Sequence, residues 1–115
     1  MPTFNKSGRL RKRSEFTRLA SSGNKLVAAH FIVISSDSVF SCARLGITVS
    51  KKVGNAVIRN RIKRLIREFF RNNRVMFPVA DYNIIARSGA SHLDYSAVCQ
   101  EIANALSRIG RKTSH

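Results

Sequence analysis

The chain has 115 residues, 43% of them apolar, and 21 Lys and Arg against 6 Asp and Glu leave a net charge of +15. That length suits one domain around a single core, and such a charge favours polyanionic partners, nucleic acid first and an anionic membrane surface second. No run approaches the ~20 apolar residues that crossing a bilayer needs, and Cys42 and Cys99 lack the spacing of a metal or redox pair, so reduced thiols in a cytoplasmic protein are expected.

Residues 1–13 carry Lys6, Arg9, Arg11, Lys12 and Arg13 beside Gly8, without periodicity. They read as a basic arm rather than a secretory signal, because no apolar stretch follows the charges. Ser14 is placed to cap a short helix in which Phe16, Leu19 and Ala20 share a face, and Ser21-Ser22-Gly23 should end it. KLVAAHFIVISS, residues 25–36, is rich in β-formers and predicts a strand with little face open to water, breakable at Ala28-Ala29. A turn is expected over residues 36–42. In ARLGITVS, residues 43–50, Leu45, Ile47 and Val49 alternate with Arg44, Gly46, Thr48 and Ser50. This predicts a strand with one face on a core and one open face of small polar residues.

After Gly54-Asn55 the period becomes helical: Ile58, Ile62, Leu65, Ile66 and Phe69 fall at i, i+4, i+7, i+8 and i+11. This helix should fade at Asn72-Asn73, with Pro78 closing the loop. DYNIIAR, residues 81–87, predicts another strand. Asp94 is expected to cap a last helix on which Val98, Ile102, Ala105, Leu106 and Ile109 form the stripe, with Gly110 as its stop. The reading is one α+β domain over residues 14–110, an α/β sandwich between a basic arm (1–13) and a basic tail (111–115). Its order is α-β-β(-β)-α-β-α, with one mixed sheet of about four strands and two helices over one face.

The central helix concentrates the charge. Residues 51–74 hold nine basic side chains and one acid, Glu68. At 100° per residue, Arg59, Arg61, Lys63, Arg64, Arg67 and Arg71 fill the arc that the apolar stripe leaves free. A solvated face normally mixes its signs, because like charges at i, i+4 cost a helix a few tenths of a kcal/mol per pair. Guanidinium forks match phosphate oxygens and stack on bases, so phosphate contact is expected, with Asn60 suited to a base edge or ribose. A bilayer is disfavoured, since the apolar stripe is needed to cover the sheet. DNA is disfavoured because no helix-turn-helix accompanies the basic helix.

KKVGNAVIRNRIKRLIREFFR, residues 51–71, preceded by RLGITVS and followed by DYNIIAR, resembles the protein subunit of bacterial ribonuclease P; the similarity runs from about Leu10 to Arg108. The resemblance implies a cofactor of a catalytic RNA that removes 5′ leaders from precursor tRNA, and a left-handed β-α-β crossover where general rules favour a right-handed one. It implies that Arg59, Asn60, Arg61, Lys63, Arg64 and Arg67, led by Lys51 and Lys52, face the RNA. It also implies a leader-binding cleft, here Phe16, Ile34, Thr48 and Ser50, with Arg9, Arg11, Lys12 and Arg13 as an auxiliary arm. Ala20 and Ile34 stand where many relatives carry aromatic residues, which favours aliphatic contact over base stacking there. The residues alone leave Phe16 either in the core or facing RNA.

The six acids are dispersed, the three histidines lie far apart, and neither a metal-ligand spacing nor a phosphate-cradling glycine motif occurs. The expected chemistry is therefore RNA binding, with no catalytic residue and no cofactor on the chain itself. Mg²⁺ and the cleavage centre belong, by the resemblance, to the RNA subunit. The alternative is a structural RNA-binding protein of ribosomal type without a processing role.

Overall fold

Of the 115 residues, the computed structural model describes 9, 10, 12–37 and 42–113. Most of the expected arm (residues 1–8 and Arg11), the middle of the expected turn (38–41) and the last two tail residues lie outside the described residues.

Helix α1 spans Arg13–Ser22. It starts one residue before the expected cap: Lys12 is the N-cap residue and its N–H donates to Glu15 Oε1 at 3.2 Å, which leaves Ser14 inside the first turn. Strands β1 (Asn24–Val27) and β2 (Phe31–Ser36) pair antiparallel. The break foreseen at Ala28-Ala29 is thus a hairpin, closed by the Ala28 N–H donating to the Phe31 carbonyl at 2.8 Å. Strand β3 (Arg44–Val49) leads through a turn into α2 (Ala56–Asn72). A single 3₁₀ turn, Arg74–Met76, precedes β4 (Asp81–Ala86), and a second, Ser88–His92, precedes α3 (Tyr95–Thr113). Asp94 caps α3 as expected, its Oδ1 accepting from the Ala97 N–H at 2.9 Å. The helix nevertheless runs on through Gly110. A glycine stops a helix when it takes a left-handed conformation, and no described glycine has a positive φ.

The sheet order is β1-β2-β4-β3, with β3 parallel to β4 and the other pairs antiparallel. Helix α2 makes the parallel crossover. Its Ile62, Ile66, Phe69 and Phe70, with Val98, Ile102, Ala105 and Ile109 of α3, bury one face of the sheet over Val33, Leu45 and Ile84. Phe77 closes the end of this core, edge-on to Phe69, Phe70 and Tyr82.

The opposite face is less open than the alternation in β3 suggested. Helix α1 lies on it, and Leu10, Leu19 and Ile34 form a second, smaller core with Phe16, Ile32 and Ile85 around them. Arg44 and Gly46 are buried there, while Thr48 and Ser50 stay exposed. Arg44 stands opposite Asp81 in the β3–β4 register and forks onto it, Nε to Oδ1 and Nη2 to Oδ2, both at 2.9 Å. From α1, Arg18 reaches the same carboxylate at 2.5 Å and Glu15 takes the Arg44 Nη1 at 2.7 Å. The four side chains tie α1 to the edge strand β3 and its neighbour β4.

Candidate nucleic-acid interface

The α2 helix owes its position to its apolar stripe, and its start to Asn55, whose Oδ1 accepts from the Ile58 N–H at 3.0 Å. With Ile62, Ile66, Phe69 and Phe70 turned into the core, the basic side chains occupy the outer arc. Asn60, Arg64 and Arg71 are exposed, as are Lys51 and Lys52 in the turn after β3. Two of the arginines are anchored on backbone: Arg59 Nε donates to the Gly54 carbonyl at 3.2 Å, and Arg61 Nη2 to the Leu93 carbonyl at 2.8 Å. These bonds hold the guanidinium groups against the surface without neutralising them.

Lys63 and Arg67 lie on the flank of α2 that faces β3. There they meet Arg9 and Phe16 at a groove of about 280 Å³ whose floor is Leu10, Leu45, Gly46 and Ile47. Burial, and then the nearby charge of Arg9, lower the Arg67 pKa from its ordinary value. The fold therefore gathers like charges at some electrostatic cost, a cost that an anion in the groove would relieve.

Phe16 is half-buried, its ring resting on Gly46 and lining the groove, so it packs against the sheet and borders the open space at once. Ile34 departs from the expected cleft: at 3% exposure it lies beneath α1 with Leu10 and Leu19. Thr48 sits on the same sheet face two residues beyond Gly46, exposed, its Oγ1 donating to Asn83 Oδ1 at 3.2 Å. Ser50 is exposed just past the strand. In the arm, Lys12 and Arg13 are exposed at the start of α1. Arg9 bridges to Leu45, and the Leu10 N–H donates to the Leu45 carbonyl at 2.9 Å, pinning the end of the arm along the edge of β3.

The groove residues Leu10, Leu45, Gly46 and Ile47 were not singled out from the sequence as a site. Leu10, an apolar residue within a basic run, was the available signal. No helix among the described residues is long and apolar enough to cross a membrane. Among the same residues no three His, Cys, Asp or Glu side chains gather as a candidate metal site.

Comparison with known proteins gives a consistent result. The family model for ribonuclease P matches residues 4–110. The ribonuclease P protein component of Geotalea uraniireducens (strain Rf4) is 49% identical over 106 residues, spanning 92% of this chain and 94% of that protein. The solved RNase P protein of Staphylococcus aureus superposes with a TM-score of 0.85 at 33% identity, covering 90% of this chain and 96% of the other. That of Thermotoga maritima gives 0.80 at 34% identity, covering 87% and 96%.

Proposed function

Since the chain belongs to the ribonuclease P protein family, and so is a subunit of an endoribonuclease holoenzyme, we propose that its two basic surfaces divide the work of binding two RNAs. The outer arc of α2 (Arg59, Asn60, Arg61 and Arg64, with Lys51 and Lys52) takes the phosphates of the catalytic RNA subunit, and Lys63 and Arg67, on the flank, border both surfaces. The groove between α1 and β3 takes the single-stranded 5′ leader of precursor tRNA, a base lying against Phe16 and its phosphates near Arg9, Lys63 and Arg67. The observation that supports this reading is the division of α2 itself. Its apolar stripe is spent on the sheet, while its cationic arc stays at the surface and runs into the groove.

The protein then contributes positioning and charge. Two polyanions repel each other, and a cationic body between them lets them approach. A grip on the leader favours precursor over product, because mature tRNA has no leader to hold. We assign Mg²⁺ and the cleavage centre to the RNA subunit, as the family resemblance implies.

The test is reconstitution with a bacterial ribonuclease P RNA, assaying precursor tRNA cleavage at low Mg²⁺. Stimulation by the protein is expected, and Phe16→Ala should weaken binding of leader-bearing precursor while sparing mature tRNA. Absence of stimulation would leave a structural RNA-binding role. An equal loss for both tRNAs would assign Phe16 to packing alone.

A further inference from the structure

We propose that Gly46 is the positioning residue of the groove: its missing side chain is the seat of the Phe16 ring and sets how far that ring projects into the leader's path. The inference rests on the leader-groove reading above. A β-carbon built on Gly46 would lie 2.5 Å from Phe16 Cε1, 2.7 Å from Cζ and 3.1 Å from Leu10 Cδ1. Carbon atoms pack at about 3.5–4.0 Å, so the ring lies directly on bare strand backbone. The backbone does not itself require glycine here, since no described glycine has a positive φ. A glycine inside a strand then marks close approach of another group.

Helix α1 has little freedom to lift and make room for a larger residue. Glu15, the neighbour of Phe16, is paired with Arg44 at 2.7 Å, Arg18 is paired with Asp81 at 2.5 Å, and Leu19 is completely buried. The ring of Phe16 is by contrast the end of a side chain with two rotatable bonds, and one side of it borders open space. An added methyl at position 46 is therefore expected to swing the ring into the groove and narrow it, leaving α1 and the sheet in place.

The experiment uses the holoenzyme and compares its affinity for leader-bearing precursor with that for mature tRNA. Loss of one base–aromatic contact lowers that ratio about fivefold or more. Gly46→Ala should lower it comparably to Phe16→Ala, with binding to the RNA subunit unchanged. Because Gly46 acts only through the ring, Gly46→Ala should add nothing in a Phe16→Ala background. An unchanged ratio in Gly46→Ala, or a loss that adds in full to that of Phe16→Ala, overturns the proposal.

The aromatic proton shifts of Phe16 in the free protein provide a readout independent of the leader. They should move in Gly46→Ala, and unmoved shifts overturn the proposal. If Phe16→Ala leaves the ratio intact while those shifts move in Gly46→Ala, the leader reading fails and the seat stands. Should Gly46→Ala not fold, the double variant lacking the ring should fold. If it does not, the obstacle is Leu10 or the backbone and the proposal fails.

Discussion

Arg44 is a charged residue built into the architecture. It is 8% exposed, and it joins β3 to β4 through Asp81 and to α1 through Glu15. The Asp81 hydrogen bond, opposed by burial and reinforced by Glu15, raises its pKa above the ordinary guanidinium value, so its charge is secure at any working pH. Removing one partner from a buried ion pair costs about 3–5 kcal/mol, because the remaining charge stays buried. Arg44→Met should accordingly lower the unfolding free energy in urea by about 3 kcal/mol. Arg44→Lys should fall between the two, since an ammonium cannot fork onto Asp81. A loss below about 1 kcal/mol for Arg44→Met, the scale of an exposed pair, would mean that the carboxylates find other partners. In the sequence Arg44 reads as one more polar residue on an open strand face. Asp81 is 37 positions away, and only the parallel register brings the two together.

At the scale of the element, α2 must form despite its own charges. Its first turn has no acid, and its basic residues Arg59, Lys63, Arg67 and Arg71 repeat at i, i+4. The Asn55 cap offsets part of this. Asn55→Ala should lower stability by about 1 kcal/mol, read as a lower melting midpoint. Asn55→Asp should keep the midpoint or raise it, because a carboxylate suits a helix N-terminus. If Asp behaves like Ala, the packing of the stripe alone holds the helix start. Elements of this kind were legible: the periodicity of α2 and α3, the cap at Asp94, and the DYNIIA strand all follow from local pattern, whereas the cap at Asn55 shows only in the structure. The hairpin at Ala28–His30 was less so, since it uses none of the Asn-Gly or Asp-Gly pairs that mark such turns. Helix α1 is legible as a helix but not as the cover of the second sheet face, so Ile34, which the resemblance places in the cleft, lies in the core. The cationic arc of α2 could be read because all its residues share one helix. Of the groove, the resemblance implied Phe16 and the arm but not the floor or the Lys63 flank, because Arg9, Phe16, Gly46 and Lys63 come from four segments that meet only in the fold.

For the molecule as a whole, a charge of +15 on 12.9 kDa makes binding to RNA a matter of counterion release. If the α2 arc and the turn before it neutralise around six phosphates, log affinity should fall against log salt with a slope of roughly −4 to −5. Changing Arg59, Arg61 and Arg64 together to Ala should reduce that slope by about 2–3, at about 0.7–0.9 per phosphate contact. The triple variant should remain folded, because none of the three belongs to the buried stripe. It should not be silent in stability, however: Arg59 and Arg61 each donate to a backbone carbonyl, and such bonds contribute about 0.5–1.5 kcal/mol apiece. Arg64, exposed and remote from the core, should contribute to the slope with little effect on stability. Measuring both quantities on the same variants separates the two roles, since anchoring affects melting while phosphate contact affects salt dependence. A triple variant with an unchanged slope would move the RNA contact off α2 and onto the remaining cations, whatever its stability.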